Sequence, residues 1–198
     1  GNTVKKAVIV GMGYIALEMA EALTARGISV TMIKKREQLL PWMIPELSSV
    51  VEKDLEARGV ELRPGMPLES IEEIDGGLRV NAGGSAFDCD LVLLAIGVKP
   101  AAGLARDAGL ELGTSGAVSI DRTMRTSDTD IFAAGDCAHL AYAPRPKAGV
   151  YAVRQAPVLL HNLRAAITGD PMRHYRPQKD YLKLISMGAK EALGERFG

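Results

Sequence analysis

AVIVGMGYIALE, residues 7–18, is the stretch that decides the fold. Residues 7–10 form a short apolar run rich in β-branched side chains, which is typical of a fully buried parallel strand. The run ends at Gly11 and Gly13, and apolar residues at helical spacing continue from Tyr14 to about Ala25. A strand, a glycine turn and a helix in this order are the context that a dinucleotide-binding fingerprint requires.

The glycine turn predicts a site for the pyrophosphate of a dinucleotide. Gly11 allows a tight turn, Gly13 lets the backbone approach the phosphates, and Ala16 is the third small residue, where the helix packs against its strand. The N–H groups at the start of the helix, with the positive end of its dipole, would hold the phosphates. The alternative is that the glycines only turn the chain. The other members of the predicted binding loop are Met12, Tyr14 and Ile15.

The composition is that of an ordinary globular protein. Of the 198 residues, 47% are hydrophobic and 24% are charged, and 24 Lys and Arg balance 24 Asp and Glu. This balance creates no overall field that would attract nucleic acid or an anionic membrane, so we predict no nucleic-acid partner. The two cysteines, Cys89 and Cys137, lie far apart without metal-type spacing. That spacing favours a reduced, cytoplasmic setting and predicts no metal site.

The pattern of strand, helix and strand repeats after the first helix. The helix ends at Gly27, residues 28–33 read as a second buried strand, and a helix from Pro45 ends at Arg58-Gly59 before a third strand at 60–62. This repeat predicts an α/β fold with a Rossmann-like, doubly wound parallel sheet.

The pattern then changes, and we place a domain boundary near residue 98. Short strands at 69–74, 78–81 and 86–89 are separated by glycine pairs, which predicts an antiparallel meander. A continuous apolar strand at 90–97 is expected to return to the centre of the sheet. Beyond the boundary we predict further strands at 117–120, 131–134 and about 181–186, and a helix at about 148–167.

Three stretches together resemble the FAD-dependent pyridine nucleotide-disulfide oxidoreductases, the flavoproteins with two dinucleotide sites. They are GMGYIALEMAEAL at 11–23, LVLLAIGVKPA at 91–101 and RTSDTDIFAAGDCA at 125–138. The last is the most specific. Residues 144–164 are similar to the type II NADH dehydrogenase branch of this family.

The resemblance implies two segments. Residues 1–97 would be the NAD(P)H-binding domain, and residues 98–198 the C-terminal part of an FAD-binding domain. The family's N-terminal FAD half, with its own glycine fingerprint and the CxxxxC pair of the disulfide reductases, has no counterpart in the sequence. The family's C-terminal dimerisation domain has none either. We therefore expect a fragment of a longer protein; the alternative is a natural subunit whose flavin half is supplied by another chain. Its partners would include NAD(P)H, FAD, the missing FAD half and a dimer mate. The sequence leaves membrane contact open.

Lys34, Lys35 and Arg36 follow the second strand, where dinucleotide domains read the adenosine ribose. An acidic residue there accepts from the 2′-OH of NADH, whereas cations suit the 2′-phosphate of NADPH. The family's strand often ends with Glu, and Lys34 stands in that place. The three cations favour NADPH, but a solvated basic turn with Glu37 serving NADH stays open.

Two residues on the first helix are candidates for a role beside the nicotinamide. Tyr14 and Glu18 are four residues apart and so share one face of the helix. The resemblance implies that Tyr14 gates the nicotinamide pocket and that Glu18 lies near the ring and pairs with a lysine of the flavin half. The alternatives are ordinary packing for Tyr14 and solvation for Glu18.

Four further residues are candidates for contacts with a bound cofactor: Gly97, Gly135, Asp136 and Ala148. Gly97 matches the family's crossover to the FAD domain, where a glycine permits close backbone approach. Gly135 and Asp136 match the site at which an aspartate binds a ribityl hydroxyl of FAD. An alternative for Asp136 is a helix N-cap. Ala148 precedes the long helix, whose N-terminus would face the flavin.

We expect the NAD(P)H-binding portion of a flavin-dependent oxidoreductase, in which a hydride passes from the nicotinamide to the flavin and electrons reach an unidentified acceptor. This chain alone would then be inactive. A second hypothesis is a nucleotide-binding module without activity of its own. A third hypothesis, a single-domain dehydrogenase, is the weakest, because the sequence places no His-Asp pair for acid–base catalysis.

Overall fold

The computed structural model describes residues 3–40, 43–188 and 191–195. In chain order, its elements are β1 (Lys6–Val10), α1 (Tyr14–Thr24), β2 (Ser29–Ile33), α2 (Pro45–Ala57), β3 (Glu61–Arg63), β4 (Leu68–Ile74), β5 (Gly77–Ala82), β6 (Ser85–Cys89), β7 (Leu91–Leu94), α3 (Gly103–Asp107), β8 (Val118–Ile120), a 3₁₀ turn (Gly135–Cys137), β9 (Ala138–Leu140), α4 (Gly149–Thr168), β10 (Lys183–Ser186) and β11 (Ala192–Glu195). They form two compact units. The first contains the chain up to Gly97 and the tail from Leu182, and the second runs from Val98 to Tyr181.

The first unit is built on a parallel sheet with the strand order β3-β2-β1-β7. Ala7 and Ile9 of β1 face the core cluster covered by α1 and α2, while Val8 and Val10 face a cluster shared with the β4-β5-β6 meander. These four side chains are at most 4% exposed. The sheet is therefore buried on both faces, as the continuous apolar run predicts. The Rossmann-like α/β class with an antiparallel meander is confirmed.

The strand predicted at 90–97 is shorter than expected and lies at a different place in the sheet. β7 ends at Leu94 and pairs only with β1 among the described strands, so it forms an edge rather than the centre. The centre consists of β1 and β2. β7 is half-buried. An apolar run predicts that a strand is buried, but it carries no information on the order of the strands in the sheet.

The tail of the chain packs on the first unit. β10 and β11 form an antiparallel hairpin, and Ile185 joins the core cluster of α1 and α2, where it is 3% exposed. The Ser186 hydroxyl donates to a carboxylate oxygen of Glu21 on α1 at 2.7 Å. The compact units therefore differ from the predicted division into 1–97 and 98–198. No local pattern in the tail reveals which unit its apolar face covers.

The second unit contains the parallel pair β8 and β9 and the long helix α4. Its core cluster includes Ile120, Met124, Leu140 and Tyr175. The predicted helix at 148–167 agrees with α4 to within one residue at each end.

The predicted strand at 131–134 is wrong. Arg125 and Phe132 form a single bridging pair, and the backbone N–H of Thr126 donates to the carbonyl of Ile131 at 2.9 Å. A tight polar turn therefore takes the place of the longer run of paired residues that a strand would form. The strand that pairs with β8 comes later, at residues 138–140, where a polar histidine interrupts the apolar pattern.

A buried asparagine joins α4 to the segments on either side of it. Asn162 is fully buried, and its amide donates to the carbonyls of Thr123 at 2.7 Å and Arg173 at 2.9 Å. Its side-chain oxygen accepts from the backbone N–H of Arg173 at 2.8 Å. Three backbone groups of two loops therefore depend on one side chain.

Replacing Asn162 with Ala should lower the free energy of unfolding by about 3 kcal/mol, because it removes the buried amide that pairs with three part-buried backbone groups. Chemical denaturation of the full chain measures this loss. Arg164→Ala, at an exposed position of the same helix, is the matched control. A loss for Asn162→Ala no larger than that of the control would contradict the interpretation.

Asp90 should make stability depend on pH at the acidic end. One of its carboxylate oxygens accepts from the backbone N–H groups of Lys5 and Lys6, both at 2.8 Å, and these bonds lower the pKa of Asp90 below its ordinary 3.8. A carboxyl with a lowered pKa in the folded state stabilises the protein above the unfolded-state pKa. This stabilisation is lost as the pH falls through the folded-state pKa.

We therefore expect Asp90→Asn to be less stable than wild type near neutral pH, with the difference shrinking below a pH of about 4. Denaturation curves recorded across this range test the effect. Asp75→Asn, in the exposed turn between β4 and β5, is the control. A difference for Asp90→Asn that stays constant with pH would show that its charge is irrelevant.

Candidate functional site

The turn after β1 is fixed by the backbone at the ends of β2 and β7. The N–H of Gly11 donates to the carbonyl of Ile33 at 2.8 Å, and the N–H of Ala95 donates to the carbonyl of Val10 at 2.8 Å. Gly11 has a φ of +118°, and a Cβ added there would lie 2.2 Å from the carbonyl oxygen of Ala95. Only glycine fits this position, for reasons of both conformation and space.

The start of α1 is open. Gly13 is its N-cap residue, and the N–H of Leu17 donates to the Gly13 carbonyl at 3.0 Å. Within the described residues, no side chain caps the helix and its first turn carries no acidic residue. A Cβ added at Gly13 would meet no atom within 4 Å. The first N–H groups of α1 therefore point into space that an anion can occupy.

The other residues of the predicted loop divide into buried and exposed. Ala16 is fully buried between α1 and the sheet, as the third small position predicts, and Met12 is 3% exposed in the same core cluster. Ile15 is 55% exposed. Met12 can thus offer a ligand only its backbone, whereas Ile15 presents a side chain at the helix start.

Tyr14 and Glu18 lie on α1 with different environments. The Tyr14 ring is half-buried and packs against the core cluster of the first unit, while Glu18 is exposed. The packing interpretation of Tyr14 therefore agrees with the structure.

Lys34, at the end of β2, is held by the backbone around it. Its ammonium group donates to the carbonyl of Leu39 at 2.6 Å and to the carbonyl of Gln38. Burial and, after it, the positive charge of Arg36 lower the pKa of Lys34 below its ordinary value. Lys35 and Arg36 are exposed.

Glu37, the alternative reader of the ribose, lies against the turn after β3. A Cβ added at Gly65 would come within 2.4 Å of a carboxylate oxygen of Glu37. The Glu37 side chain is nevertheless exposed. Its position beside Gly65 does not by itself assign it to a nucleotide.

Gly97 lies three residues beyond the end of β7. Its φ is +117°, and an added Cβ would meet no atom within 4 Å. Ile96 and Val98 on either side are 71% and 79% exposed. Parallel strands place their carboxyl ends at one edge of a sheet, so the ends of β1, β2 and β7 bring together residues 11–16, the basic residues 34–36 and the chain leading to Gly97.

The other three candidates lie together in the second unit. Gly135 has a φ of +70°, and its N–H donates to the side-chain oxygen of Gln155 on α4 at 2.6 Å. Asp136 is exposed. Ala148 is the N-cap residue of α4, and no side chain caps this helix within the described residues. The Lys147 ammonium donates to the carbonyl of Ala138.

The interpretation of Asp136 as a helix N-cap is wrong. Gly135–Cys137 form only one 3₁₀ turn, whose N-cap residue is Ala134 and which no side chain caps. The chain then continues directly into β9. The Asp136 carboxylate is accordingly not used in a cap.

Two residues that organise these sites are absent from the sequence prediction. Ala95 matters through its carbonyl oxygen, which no side-chain pattern reveals. Gln155 is 1% exposed and holds the N–H of Gly135. The sequence does contain a signal for Gln155. It is a polar residue seven positions before Asn162, on the face of α4 that is otherwise apolar and buried.

In the described parts of the chain, no helix is long and apolar enough to cross a membrane. The same parts contain no group of three or more His, Cys, Asp and Glu side chains arranged to hold a metal ion.

Comparisons with known proteins match most of the chain. The family model described as pyridine nucleotide-disulphide oxidoreductase matches residues 1–156. An NADH oxidase of Methanocaldococcus jannaschii is 37% identical over 137 residues, which are 69% of this chain and 30% of that protein. A CoA-dependent NAD(P)H sulfur oxidoreductase of Pyrococcus furiosus is 39% identical over 138 residues, 69% of this chain and 31% of that protein. The chain thus spans about a third of the length of these curated relatives.

A solved structure is similar over nearly the whole chain. It is an FAD-dependent pyridine nucleotide-disulphide oxidoreductase from Desulfovibrio vulgaris, with 38% identity and a TM-score of 0.78. The match covers 93% of this chain and 47% of that one.

The two glycines of the turn should respond differently to alanine. Gly11→Ala should destabilise the protein by about 3 kcal/mol or more, because Cβ meets the Ala95 carbonyl and φ is positive. Gly13→Ala should cost only about 1 kcal/mol, since its φ of −92° suits alanine. The added methyl group would fill the space before α1 and weaken dinucleotide binding about tenfold.

Denaturation and nucleotide titration of both variants measure these effects. Gly27→Ala, with an open environment at the end of α1, controls for positive φ without a clash. If Gly13→Ala bound nucleotide as wild type does, the phosphate site would not lie at the start of α1.

Proposed function

Because the chain belongs to the pyridine nucleotide-disulphide oxidoreductase family, we propose that it is the NAD(P)H-binding portion of a flavin-dependent oxidoreductase. The observation that carries this proposal is the start of α1. Gly13 leaves open space before a helix N-terminus that no described side chain caps. An uncapped helix start with no acidic residue nearby stabilises a pyrophosphate through its N–H groups and its dipole.

The nucleotide that we propose is NADPH in preference to NADH. Lys35 and Arg36 are exposed beyond β2 and would bring two positive charges to the ribose end of the site. A 2′-phosphate forms charge-assisted hydrogen bonds with such groups, whereas a 2′-hydroxyl gains little from them. The names of the relatives include both an NADH oxidase and an NAD(P)H enzyme, so they do not decide between the nucleotides.

The second unit fits a part of an FAD site. Asp136 is exposed and is not used in a helix cap, and the start of α4 is uncapped with no acidic residue in its first turn. We propose that the Asp136 carboxylate accepts a hydrogen bond from a hydroxyl of the ribityl chain and that the N–H groups after Ala148 stabilise negative charge on the flavin. The flavin, when bound, supplies the acceptor for a hydride from the nicotinamide.

The chain's own contribution is to bind and orient rather than to transfer protons. We propose that Tyr14 shields the nicotinamide side of the site from water and that Glu18 lies near the ring. The half-buried Tyr14 ring is held by packing, so it can serve as a fixed wall. Alignment of two rings and exclusion of water are the main protein contributions to hydride transfer between cofactors.

Exposed apolar surface in the second unit supports a place within a longer protein. Leu104 on α3 is 88% exposed and lines an apolar groove of about 290 Å³. Val153 and Ile167 on α4 are 72% and 87% exposed. An apolar groove of this kind is typical of a surface that another segment covers.

A nucleotide-binding module without activity is the second candidate function. The observation that favours it is that the open start of α1 and the exposed basic residues after β2 account for nucleotide binding alone.

Titration of the purified chain with NADPH and NADH at low salt, followed by nicotinamide fluorescence, tests the proposal. We expect saturable binding of both and about tenfold tighter binding of NADPH. Absence of binding would contradict the proposed function, and tighter binding of NADH would contradict the proposed preference.

The visible spectrum after incubation with FAD separates the two candidate functions. Retained flavin that is reduced on addition of NADPH would exclude the inactive module. A colourless chain that still binds NADPH would favour the inactive module.

A further inference from the structure

The segment after β2 is attached to the rest of the first unit on two sides. On one side, its backbone pairs with the turn after β3: the N–H of Met66 donates to the carbonyl of Lys34 at 2.7 Å, and the N–H of Gly65 donates to the carbonyl of Arg36 at 3.3 Å. On the other side, Leu39 and Leu40 are buried in the core cluster at 3% and 1% exposure.

Between these two attachments, the chain is closed by the Lys34 side chain. Its ammonium group donates to the carbonyls of Gln38 and Leu39, the latter at 2.6 Å. Two consecutive carbonyl oxygens on one ammonium group form a compact ring of chain from residue 34 to residue 39. These charge-assisted bonds are stronger than neutral ones, so they restrict the exposed residues between them.

Residues 35–38 lie inside this ring, and their side chains are exposed. The side chains of Lys35 and Arg36 are exposed and form no hydrogen bond or ion pair with the parts of the chain that the structure describes. The Lys34 ammonium, by contrast, already donates two of its three N–H groups to backbone carbonyls. Only one donor of Lys34 remains for a ligand, whereas the Arg36 guanidinium can form a fork with a phosphate.

We propose that Lys34 is a positioning residue for nucleotide choice: it holds the turn of residues 35–38, and Lys35 and Arg36 contact the 2′-phosphate. This inference rests on the proposed binding of NADPH and deepens it. The residue that replaces the acidic ribose reader at the end of β2 then acts on specificity through the backbone. The side chains that read the phosphate are its neighbours.

Amide hydrogen exchange of the nucleotide-free chain tests the positioning role. Lys34→Met removes the donors but keeps the apolar stem, and we expect exchange at residues 36–40 to become about tenfold faster. Lys34→Arg retains donors and should restore slow exchange. Lys53→Met, at an exposed position of α2, should leave these residues unchanged.

Nucleotide titrations of the same variants test the effect on choice. Lys34→Met should reduce the ratio of the NADH to the NADPH dissociation constant about tenfold, and Lys34→Arg should restore it. Arg36→Gln should reduce the ratio similarly without changing exchange at residues 36–40. A global loss of stability would weaken the binding of both nucleotides to the same extent and leave the ratio of their dissociation constants unchanged.

Each other result overturns the inference. A reduced ratio for Lys34→Met with unchanged exchange would make Lys34 a direct reader of the phosphate. Faster amide exchange in Lys34→Met with an unchanged ratio of dissociation constants would show that Lys34 stabilises the turn without affecting nucleotide choice. If the wild-type chain binds neither nucleotide, the proposed function and the reading role both fail. The exchange data would still show whether Lys34 holds the turn.

Discussion

The contact between Gly11 and the carbonyl of Ala95 is the constraint on which the first unit depends. The chains leaving β1 and β7 pass so closely that even a methyl group at Gly11 would overlap the neighbouring backbone. The same turn donates a hydrogen bond to the end of β2. Three strand ends are thereby gathered at one point, and α1 starts immediately afterwards with its N–H groups directed outwards. The position of the site follows from this contact rather than from any polar side chain.

Much of the first unit is predictable because its signals are local. The apolar run at residues 7–10 and the glycines after it specify a strand, a turn and a helix within a dozen residues. The strand at 131–134 fails for the opposite reason. Its four apolar residues satisfy a strand pattern, but a turn at Asp128 lets only one pair bridge. Pairing depends on the partner strand, which a local pattern does not contain.

The candidate site was predictable in place but not in the function of each side chain. Spacing predicts that the basic residues 34–36 lie beyond β2, and the resemblance adds their ligand. Which of the three faces solvent depends on the carbonyls of Gln38 and Leu39, whose direction no residue type encodes. Gln155 in the second unit shows the same limit, because its partner is a backbone N–H twenty residues away.

The tail hairpin has a consequence for how the chain is made. Ile185 joins a core cluster whose other buried members come from residues 7–60, so the first unit is completed only after the second unit has been synthesised. The second unit, by contrast, can be complete while the tail is still inside the exit tunnel. Domains generally fold as they emerge, from the N-terminus onward. The nascent first unit therefore keeps an unfinished apolar face until the residues of the tail hairpin have been synthesised.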